Sequence, residues 1–396
     1  MQPRSFPSKS ELLALATLLM ATVALSIDVM LPALGQIALE FGVAEGNRRQ
    51  LVIVAVFVGL AIGQMVFGPL SDATGRRPAI VLGAALFVAG GVMCAMATSF
   101  EFLIAGRVLQ GFGAAGPRIV TVALIRDRFD GVAMARIFSI IMGVFIMVPV
   151  FAPSVGQALL LVMPWRGLFG VLAVLCLLGA VWLLLRHPET LAEKQSLNIR
   201  RIASAAREVL ADRRAMSFTF AAGLCYGALM GFVLSSQQLF QEAFAVGEQY
   251  AVWFGASAIF VGLATVTNAQ LVNHFAMDRI CIAAVGVLCL WALAFVWTMR
   301  SLGDLPSIEL FMLFNCLALF LLGLTFGNFN AIALERLGHI AGMAAAITAS
   351  IQTLVSMVAA SVVGLSFNMT LYPLFLGYVG CGVASLVLMG LSSRRG

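Results

Sequence analysis

Apolar residues run along the whole chain in long blocks that short polar stretches separate. A helix needs about 20 apolar residues to cross the hydrocarbon of a bilayer, and each block reaches that length. The blocks predict twelve spans: Leu12 to Leu34, Leu51 to Leu70, Pro78 to Ala97, Phe102 to Ile125, Phe138 to Val162, Leu168 to Leu185, Phe218 to Phe240, Tyr250 to Val272, Ile280 to Met299, Ile308 to Leu334, Ala341 to Ser366 and Leu371 to Leu391. We therefore expect an all-α integral membrane protein with twelve transmembrane helices.

The longest polar stretch, residues 187–214, follows the sixth block and divides the spans into two sets of six. We predict an N-terminal six-helix bundle over residues 1–186, a cytoplasmic linker over 187–214 and a C-terminal six-helix bundle over 215–396. Within the linker, residues 199–210 carry apolar side chains at helical spacing with basic ones opposite, which is typical of a helix on the inner membrane surface. Two such bundles favour a binding site between them, near the bilayer midplane.

Composition agrees with lipid as the main solvent. Of the 396 residues, 61% are hydrophobic and 11% are charged, and the mean hydropathy is +1.02. Soluble globular domains carry about 25% charged residues, so this chain falls well outside that class.

Lysine and arginine concentrate on one side of the predicted spans. With the N-terminus inside, all but six of the 24 cations fall in inner segments, the exceptions being Arg48, Arg49, Arg166 and Arg300 outside and Arg107 and Arg118 within spans. Because short cytoplasmic loops retain cations, we predict that both termini are cytoplasmic and that the protein lies in the cell inner membrane. The net charge of +6 follows from this topology, so no nucleic-acid partner is expected.

Several kinds of chemistry have no sequence support. No glycine-rich phosphate loop ending in Gly-Lys-Ser/Thr is present, so ATP hydrolysis is not expected. The three histidines lie at span ends or in loops, and the seven cysteines lie within spans without CxxC spacing, as small buried apolar residues do. No nucleophile, base and orienting residue cluster on one face. We therefore expect no enzyme activity, no cofactor and no bound metal.

Asp28 is the one acidic residue that lies deep in a predicted span without question. A carboxylate at membrane depth costs on the order of several kcal/mol unless it is paired, neutralised or hydrated. Two interpretations follow, a proton-binding site or a fixed ion pair. With no histidine or lysine inside the spans, Asp28 is the predicted proton carrier.

Arg107 and Arg118 in the fourth span are the candidate partners of Asp28. They are eleven residues apart, which at about 100° per residue places them on one helical face and roughly 16 Å apart along the axis. Both guanidinium groups are thus expected to point into one cavity. The alternatives are that Arg107 ties helices together and that Arg118 extends to the membrane surface.

Two glycine- and proline-bearing segments indicate conformational change. Gly68 to Pro78 is predicted to form the inner turn between spans 2 and 3, with Asp72 bonding free backbone N–H groups or facing a helix start, and with Arg76 and Arg77 at the inner leaflet. In span 5, Gly143, Pro149, Pro153 and Gly156 are expected to bend the helix and present small surfaces to a neighbour.

These segments make the chain resemble the major facilitator superfamily, within it the twelve-span drug:proton antiporter group, and most of all the bacterial Bcr/CflA subfamily. Residues 68–78 match the motif G-P-L-S-D-x-x-G-R-R-P, whose conserved positions here are Gly68, Asp72, Gly75, Arg76 and Arg77. Further matches are Leu103, Arg107, Gln110, Gly111, Gly113, Ala114 and Ala115 in span 4, Pro149, Ala152, Pro153 and Gly156 in span 5, Trp165, Arg166 and Phe169, Pro188 to Thr190, Asp28 with Pro32, and Ala341 to Ala345.

The resemblance implies a monomeric, proton-coupled exporter of small amphiphilic drugs or related compounds. Asp28 and Arg107 would couple protons to transport, and Asp28, Arg107, Gln110 and Arg118 would line the substrate cavity. Protons, the bilayer and a small-molecule substrate are the partners it implies.

Three departures from the family stand out. Ala73 replaces a frequent arginine, so the usual partner of Asp72 is missing; Arg118 replaces a small or apolar residue; and residues 273–279 keep little of the second-half loop motif. Two rival functions remain open at this point. The first is a transporter of the same fold that carries one defined metabolite, and proton symport is one form it could take. The second is a membrane receptor that transports nothing.

Overall fold

The computed structural model describes residues 8–43, 45–129, 131–191, 194 and 199–393. In these residues all regular structure is helical. The α-helices are α1 (Lys9–Asp28), α2 (Leu34–Glu40), α3 (Leu51–Thr74), α4 (Arg76–Ala95), α5 (Phe100–Ala115), α6 (Thr121–Arg126), α7 (Gly131–Leu160), α8 (Trp165–Arg186), α9 (Ile199–Ala211), α10 (Arg213–Gln237), α11 (Tyr250–Leu271), α12 (Met277–Leu302), α13 (Ile308–Leu334), α14 (Ala341–Leu365) and α15 (Tyr372–Ser393). Two π-helical segments, Gly116–Val120 and Gln238–Ala243, interrupt this series.

Within the described residues, eleven helical segments are long and apolar enough to cross a membrane. Four of them extend an α-helix through a neighbouring short element, as in Phe100–Arg126, which joins α5, the π-helical segment and α6. The span predicted over residues 138–162 falls in α7, whose described apolar part is the shorter Val150–Leu160. The prediction of an all-α membrane protein is confirmed.

The chain forms two compact units. Unit 1 comprises Met1–Ala33 and Leu51–Ser204, and unit 2 comprises Leu34–Gln50 and Ala205–Gly396. The segment Leu34–Gln50, which joins α1 to α3 in sequence, thus packs with unit 2. The domain bounds drawn from the polar stretch at residues 187–214 stay a prediction.

Glycines set the close packing inside unit 1. A Cβ on Gly59 of α3 would overlap the carbonyl of Val108, and a Cβ on Gly113 of α5 would lie 2.6 Å from the carbonyl of Gly83 in α4. Helix α5 therefore meets both α3 and α4 backbone to backbone, as small residues allow in membrane bundles. This contact fixes the position of Arg107 on α5.

Part of the apolar side of α9, in the predicted linker, packs against other helices, while Leu210 is 56% exposed. Val209 is fully buried in a cluster with Leu337, Ala344 and Ile347 of unit 2. Beside this cluster, Glu208 Oε1 lies 2.6 Å from His339 Nε2. The placement of this helix on the inner membrane surface stays a prediction, because another helix can also cover an apolar helical stripe.

Candidate functional site

Asp28 is the last residue of α1, and a proline determines this break. Pro32 has no backbone N–H, and its ring would clash with the carbonyl four residues earlier, which is that of Asp28. The chain continues instead as the 3-10 turn Leu31–Ala33. Asp28 is only 6% exposed, and no side chain in the described residues bonds its carboxylate. The predicted proton carrier is therefore a buried acid at a helix break.

Helix α7 packs against this break through Gly156. A Cβ on Gly156 would overlap the carbonyl of Val29 and lie 3.1 Å from Pro32 Cγ. Pro153 is buried in the same helix, and α7 runs through both predicted prolines without interruption. The side chain of Pro149 is not among the described ones. Gly156 thus lets α7 approach the backbone next to Asp28.

Arg107 is fully buried and satisfies backbone carbonyls on two other helices. Its Nε donates to the Val52 carbonyl at 3.0 Å, and its Nη2 donates to the Ser26 carbonyl at 3.0 Å. Its Nη1 donates to Gln110 Oε1 at 2.7 Å, and its guanidinium lies 5.6 Å from the centre of the Phe169 ring. The structure thus contains no Asp28–Arg107 ion pair. Arg107 instead bonds the turn of α1 that ends at Asp28. This contact corresponds to the alternative role predicted for Arg107, a structural tie between helices.

Two buried amides, Gln64 of α3 and Gln110 of α5, retain unused hydrogen-bonding capacity. Gln110 Nε2 has no partner, and neither polar atom of the Gln64 side chain has one. Both glutamines are completely buried. Buried polar atoms without partners usually mark an absent water or ligand. Sequence reasoning missed Gln64, because a single glutamine in an apolar helix carries no motif.

Arg118 lies in the π-helical segment Gly116–Val120 and is partly buried. Pro117 explains the irregular turn, since it can donate no backbone hydrogen bond and crowds the preceding turn. The predicted common face of Arg107 and Arg118 assumed an unbroken α-helix. The wider i→i+5 turn changes that count, so regular helical spacing does not fix where Arg118 points.

Arg76 is the centre of the inner loop motif. Only Gly75 separates α3 from α4, and its φ of 114° is one that other residues rarely adopt. Arg76 Nη1 donates to Asp72 Oδ1 at 2.5 Å, and Arg76 Nε donates to Asp127 Oδ2 at 2.8 Å. Asp72 therefore pairs with Arg76, four residues farther along the chain, even though Ala73 stands where the family often has the partner arginine. Asp127, which the sequence did not single out, completes the network.

Glu189 caps the start of α4, the position that the sequence suggested for Asp72. Its Oε1 accepts from the Arg76 backbone N–H at 2.9 Å, and its Oε2 accepts from the Arg77 backbone N–H at 3.1 Å. A carboxylate here satisfies free N–H groups and the positive end of the helix. His187, just before it, is buried, and burial lowers the pKa of its imidazole. The positive charge here therefore belongs to the arginines.

A second polar cluster, which we name the Arg49 cluster, lies within unit 2 and comprises Asn47, Arg49, Gln50, Gln238 and Glu242. Arg49 binds Glu242 in a bidentate ion pair at 2.5 and 2.7 Å and is 5% exposed. Gln50 Nε2 donates to Gln238 Oε1 at 2.8 Å, and Gln238 Nε2 donates to Asn47 Oδ1 at 2.5 Å. The sequence counted Arg49 only as an outer cation, because its partners lie almost 200 positions away.

Replacing Arg49 with alanine is expected to lower the midpoint of thermal unfolding. The change leaves the Glu242 carboxylate without its bidentate partner, and a hydrogen bond to a charged group contributes about 1.5–3 kcal/mol. Swapping the charges, with Arg49→Glu and Glu242→Arg together, should recover part of the loss. Arg48→Ala is the matched control, because Arg48 is the adjacent but exposed arginine. Equal melting of Arg49→Ala and Arg48→Ala would contradict the assignment.

Comparison with known proteins identifies the family of the chain. Residues 15–360 match the Major Facilitator Superfamily. The uncharacterized MFS-type transporter YdgK of Bacillus subtilis is 28% identical over 401 residues, which cover 98% of each chain. A bicyclomycin resistance protein homolog of Haemophilus influenzae is 26% identical over 377 residues, covering 93% of each, and the multidrug resistance protein MdtL of Salmonella heidelberg is 29% identical over 234 residues, covering 59% of each.

Solved structures share the fold at low identity. The human organic anion transporter MFSD10 (TETRAN) superposes with a TM-score of 0.71 at 16% identity, covering 98% of this chain and 100% of that one. The xylose transporter XylE from E. coli superposes with a TM-score of 0.72 at 13% identity, covering 98% of each. At such identities the likeness concerns the fold alone.

Proposed function

The chain belongs to the major facilitator superfamily, and from this we propose that it is a proton-driven exporter of small amphiphilic compounds. The observation that carries the proposal is the buried Asp28 carboxylate at the break of α1, which no side chain among the described residues bonds. Relatives named for bicyclomycin resistance and multidrug resistance support export of drug-like compounds. The substrate would cross the membrane unchanged, without catalysis.

Proton coupling follows from the surroundings of Asp28. Protonation of the Asp28 carboxylate removes a buried charge, and deprotonation creates one. The two protonation states therefore favour different conformations of the helix break. Arg107 positions the break through the Ser26 carbonyl. Coupling then requires that protonation and substrate binding favour different conformations of one carrier.

The cation distribution supports a topology in which both termini and residues 187–214 lie on the cytoplasmic side of the cell inner membrane. The protein is proposed to act as a monomer. A reporter that is active only in the periplasm should remain silent when it is fused after Gly396. The same reporter placed in the predicted outer loop at Arg300 is the positive control. Activity at the C-terminal fusion would reverse the orientation.

Substrate charge is proposed from the inventory of ionisable groups in the predicted spans. Two arginines, Arg107 and Arg118, outnumber the single clear carboxylate, Asp28, which favours neutral or weakly anionic amphiphiles over dications. Arg118→Ala should then shift transport toward cationic substrates while membrane insertion is unchanged. Export assays with matched neutral, anionic and dicationic compounds measure the shift. An unchanged profile would assign Arg118 to the membrane surface.

The direction of coupling is tested in proteoliposomes that contain the purified protein. An imposed pH gradient should drive a neutral fluorescent amphiphile against its own gradient, in the direction opposite to proton flow, and a protonophore should abolish this. Accumulation in the same direction as protons would indicate symport of a metabolite-like substrate. Absence of flux in both directions would indicate a receptor.

A further inference from the structure

A cavity of about 440 Å³ lies between the start of α4 and the end of α8, within unit 1. We name it the α4–α8 cavity. Its lining consists of Thr74, Arg77, Pro78, Val81, Leu184, Glu189 and Lys194. This volume falls in the range of about 300–1,000 Å³ that is usual for ligand sites. The cavity takes no part in the proposed proton coupling.

The charged side chains of the lining, Arg77, Glu189 and Lys194, carry a net positive charge. Arg77 Nη2 donates to the Leu184 carbonyl at 2.6 Å, while Arg77 Nε is buried without a partner. Lys194 is exposed and forms no ion pair with the residues that the structure describes. The one anion present, Glu189, is already used by backbone N–H groups, including those of Thr190 and Leu191 at 3.0 and 3.1 Å. Two cations therefore remain available to an anionic guest.

The apolar part of the lining, Pro78, Val81 and Leu184, is continuous with exposed apolar surfaces of α4 and α8. Pro78 shares a helical face with Leu82, which is 46% exposed. Leu184 is 40% exposed and shares a face with Val181, which is 48% exposed. Exposed apolar stripes on the spans of a membrane protein contact acyl chains. The cavity thus combines two cations with apolar side chains, and it lies where one predicted span begins and another ends, which is where lipid headgroups are expected.

We infer that the α4–α8 cavity binds an anionic phospholipid of the adjacent leaflet. The phosphate would lie between Arg77 and Lys194, and an acyl chain would follow Pro78 and Leu184 along the two helices. Basic pockets between transmembrane helices recognise lipid headgroups in this way. An amphiphilic lipid fits better than free phosphate, because the side chains of three of the seven lining residues, Pro78, Val81 and Leu184, are apolar.

The chain provides a matched pair of variants for the test, since Lys9 and Lys194 are its only lysines and both are exposed. Delipidated protein is titrated with phosphatidylglycerol, and retained lipid is counted by native mass spectrometry. Lys194→Ala should weaken retention about fivefold, in line with roughly 1 kcal/mol for each cation near a lipid surface. Lys9→Ala and Lys194→Arg should retain phosphatidylglycerol as the parent protein does.

Two further measurements separate a lipid from other anions. Phosphatidylcholine should be retained less than phosphatidylglycerol, and Val81→Trp, which fills the cavity but keeps both cations, should also reduce retention. Equal retention by Lys194→Ala and Lys9→Ala would overturn the inference. So would displacement of phosphatidylglycerol by glycerol 1-phosphate at equal concentration, because the site would then recognise the phosphate without the acyl chain.

Discussion

Arg107→Ala is expected to cause the largest loss of stability of any single substitution in unit 1. The fully buried guanidinium donates to the carbonyls of Ser26 and Val52 and to the Gln110 side chain. Its removal takes one donor from each of three buried acceptors, of which the Val52 carbonyl keeps its partner within α3, and a buried acceptor left unsatisfied costs about 1–3 kcal/mol, part of which relaxation and water entry will offset. The thermal unfolding midpoint in detergent should fall, and the amount of protein in the membrane should fall with it.

The control for Arg107 is a variant that keeps its charge. Arg107→Lys retains a cation but not the planar fork that reaches three acceptors on different helices, so intermediate stability is expected. Arg118→Ala, on the same span but only partly buried, should melt close to the parent protein. If Arg107→Ala melts with Arg118→Ala, Arg107 does not tie α1, α3 and α5 together.

The helices themselves were predictable because the solvent dictates them. Lipid around each span admits only long apolar helices, and the blocks of the sequence mark them directly. The span predicted over Leu12 to Leu34 did not include the break at Asp28, although its cause is local, since Pro32 removes the hydrogen bond to the Asp28 carbonyl. The loop motif placed Gly75 at a turn. In each of these cases the cause lies within a few residues of the effect.

The partners of the charged side chains were not predictable in the same way. The sequence offered Arg107 as a candidate partner of Asp28, because both are charged residues within predicted spans. Backbone carbonyls of α1 and α3 bond Arg107 instead. Glu189, rather than Asp72, caps α4 across 113 positions of sequence. Such pairings depend on which helices meet and on side-chain direction, and periodicity carries neither. The π-helical turn at Pro117 has a local cause, but it changes the helical face on which each later residue of the span lies.

The two roles separated here, a tie at Arg107 and a proton site at Asp28, make different demands on transport. Loss of the tie should impair every mode of transport, because the break of α1 loses its support. Loss of the proton site should impair only transport that a proton gradient drives. Gradient-independent exchange of labelled for unlabelled substrate distinguishes the two.

Asp28→Asn is accordingly expected to abolish gradient-driven export and to spare exchange. Asparagine keeps the size of the side chain and mimics the protonated acid, so the packing of α7 on the break survives while titration is lost. In proteoliposomes, accumulation against a substrate gradient should fall to the level of liposomes without protein. Asp28→Glu should retain partial activity with a shifted pH profile, because a carboxyl group remains but its position changes.

The matched control for Asp28 is the acidic residue at the start of α13, which lies at the end of its span. Glu309→Gln removes a carboxylate in the first turn of that helix, where side chains reach water, and should leave gradient-driven export intact. Export by Asp28→Asn that still runs uphill and collapses with a protonophore would place the proton elsewhere, with Glu309 and Glu335 the next residues to test. Loss of exchange together with driven export in Asp28→Asn would instead make Asp28 a structural residue of the break. Only loss of driven export with exchange preserved assigns the proton to the carboxylate that Pro32 leaves at the end of α1.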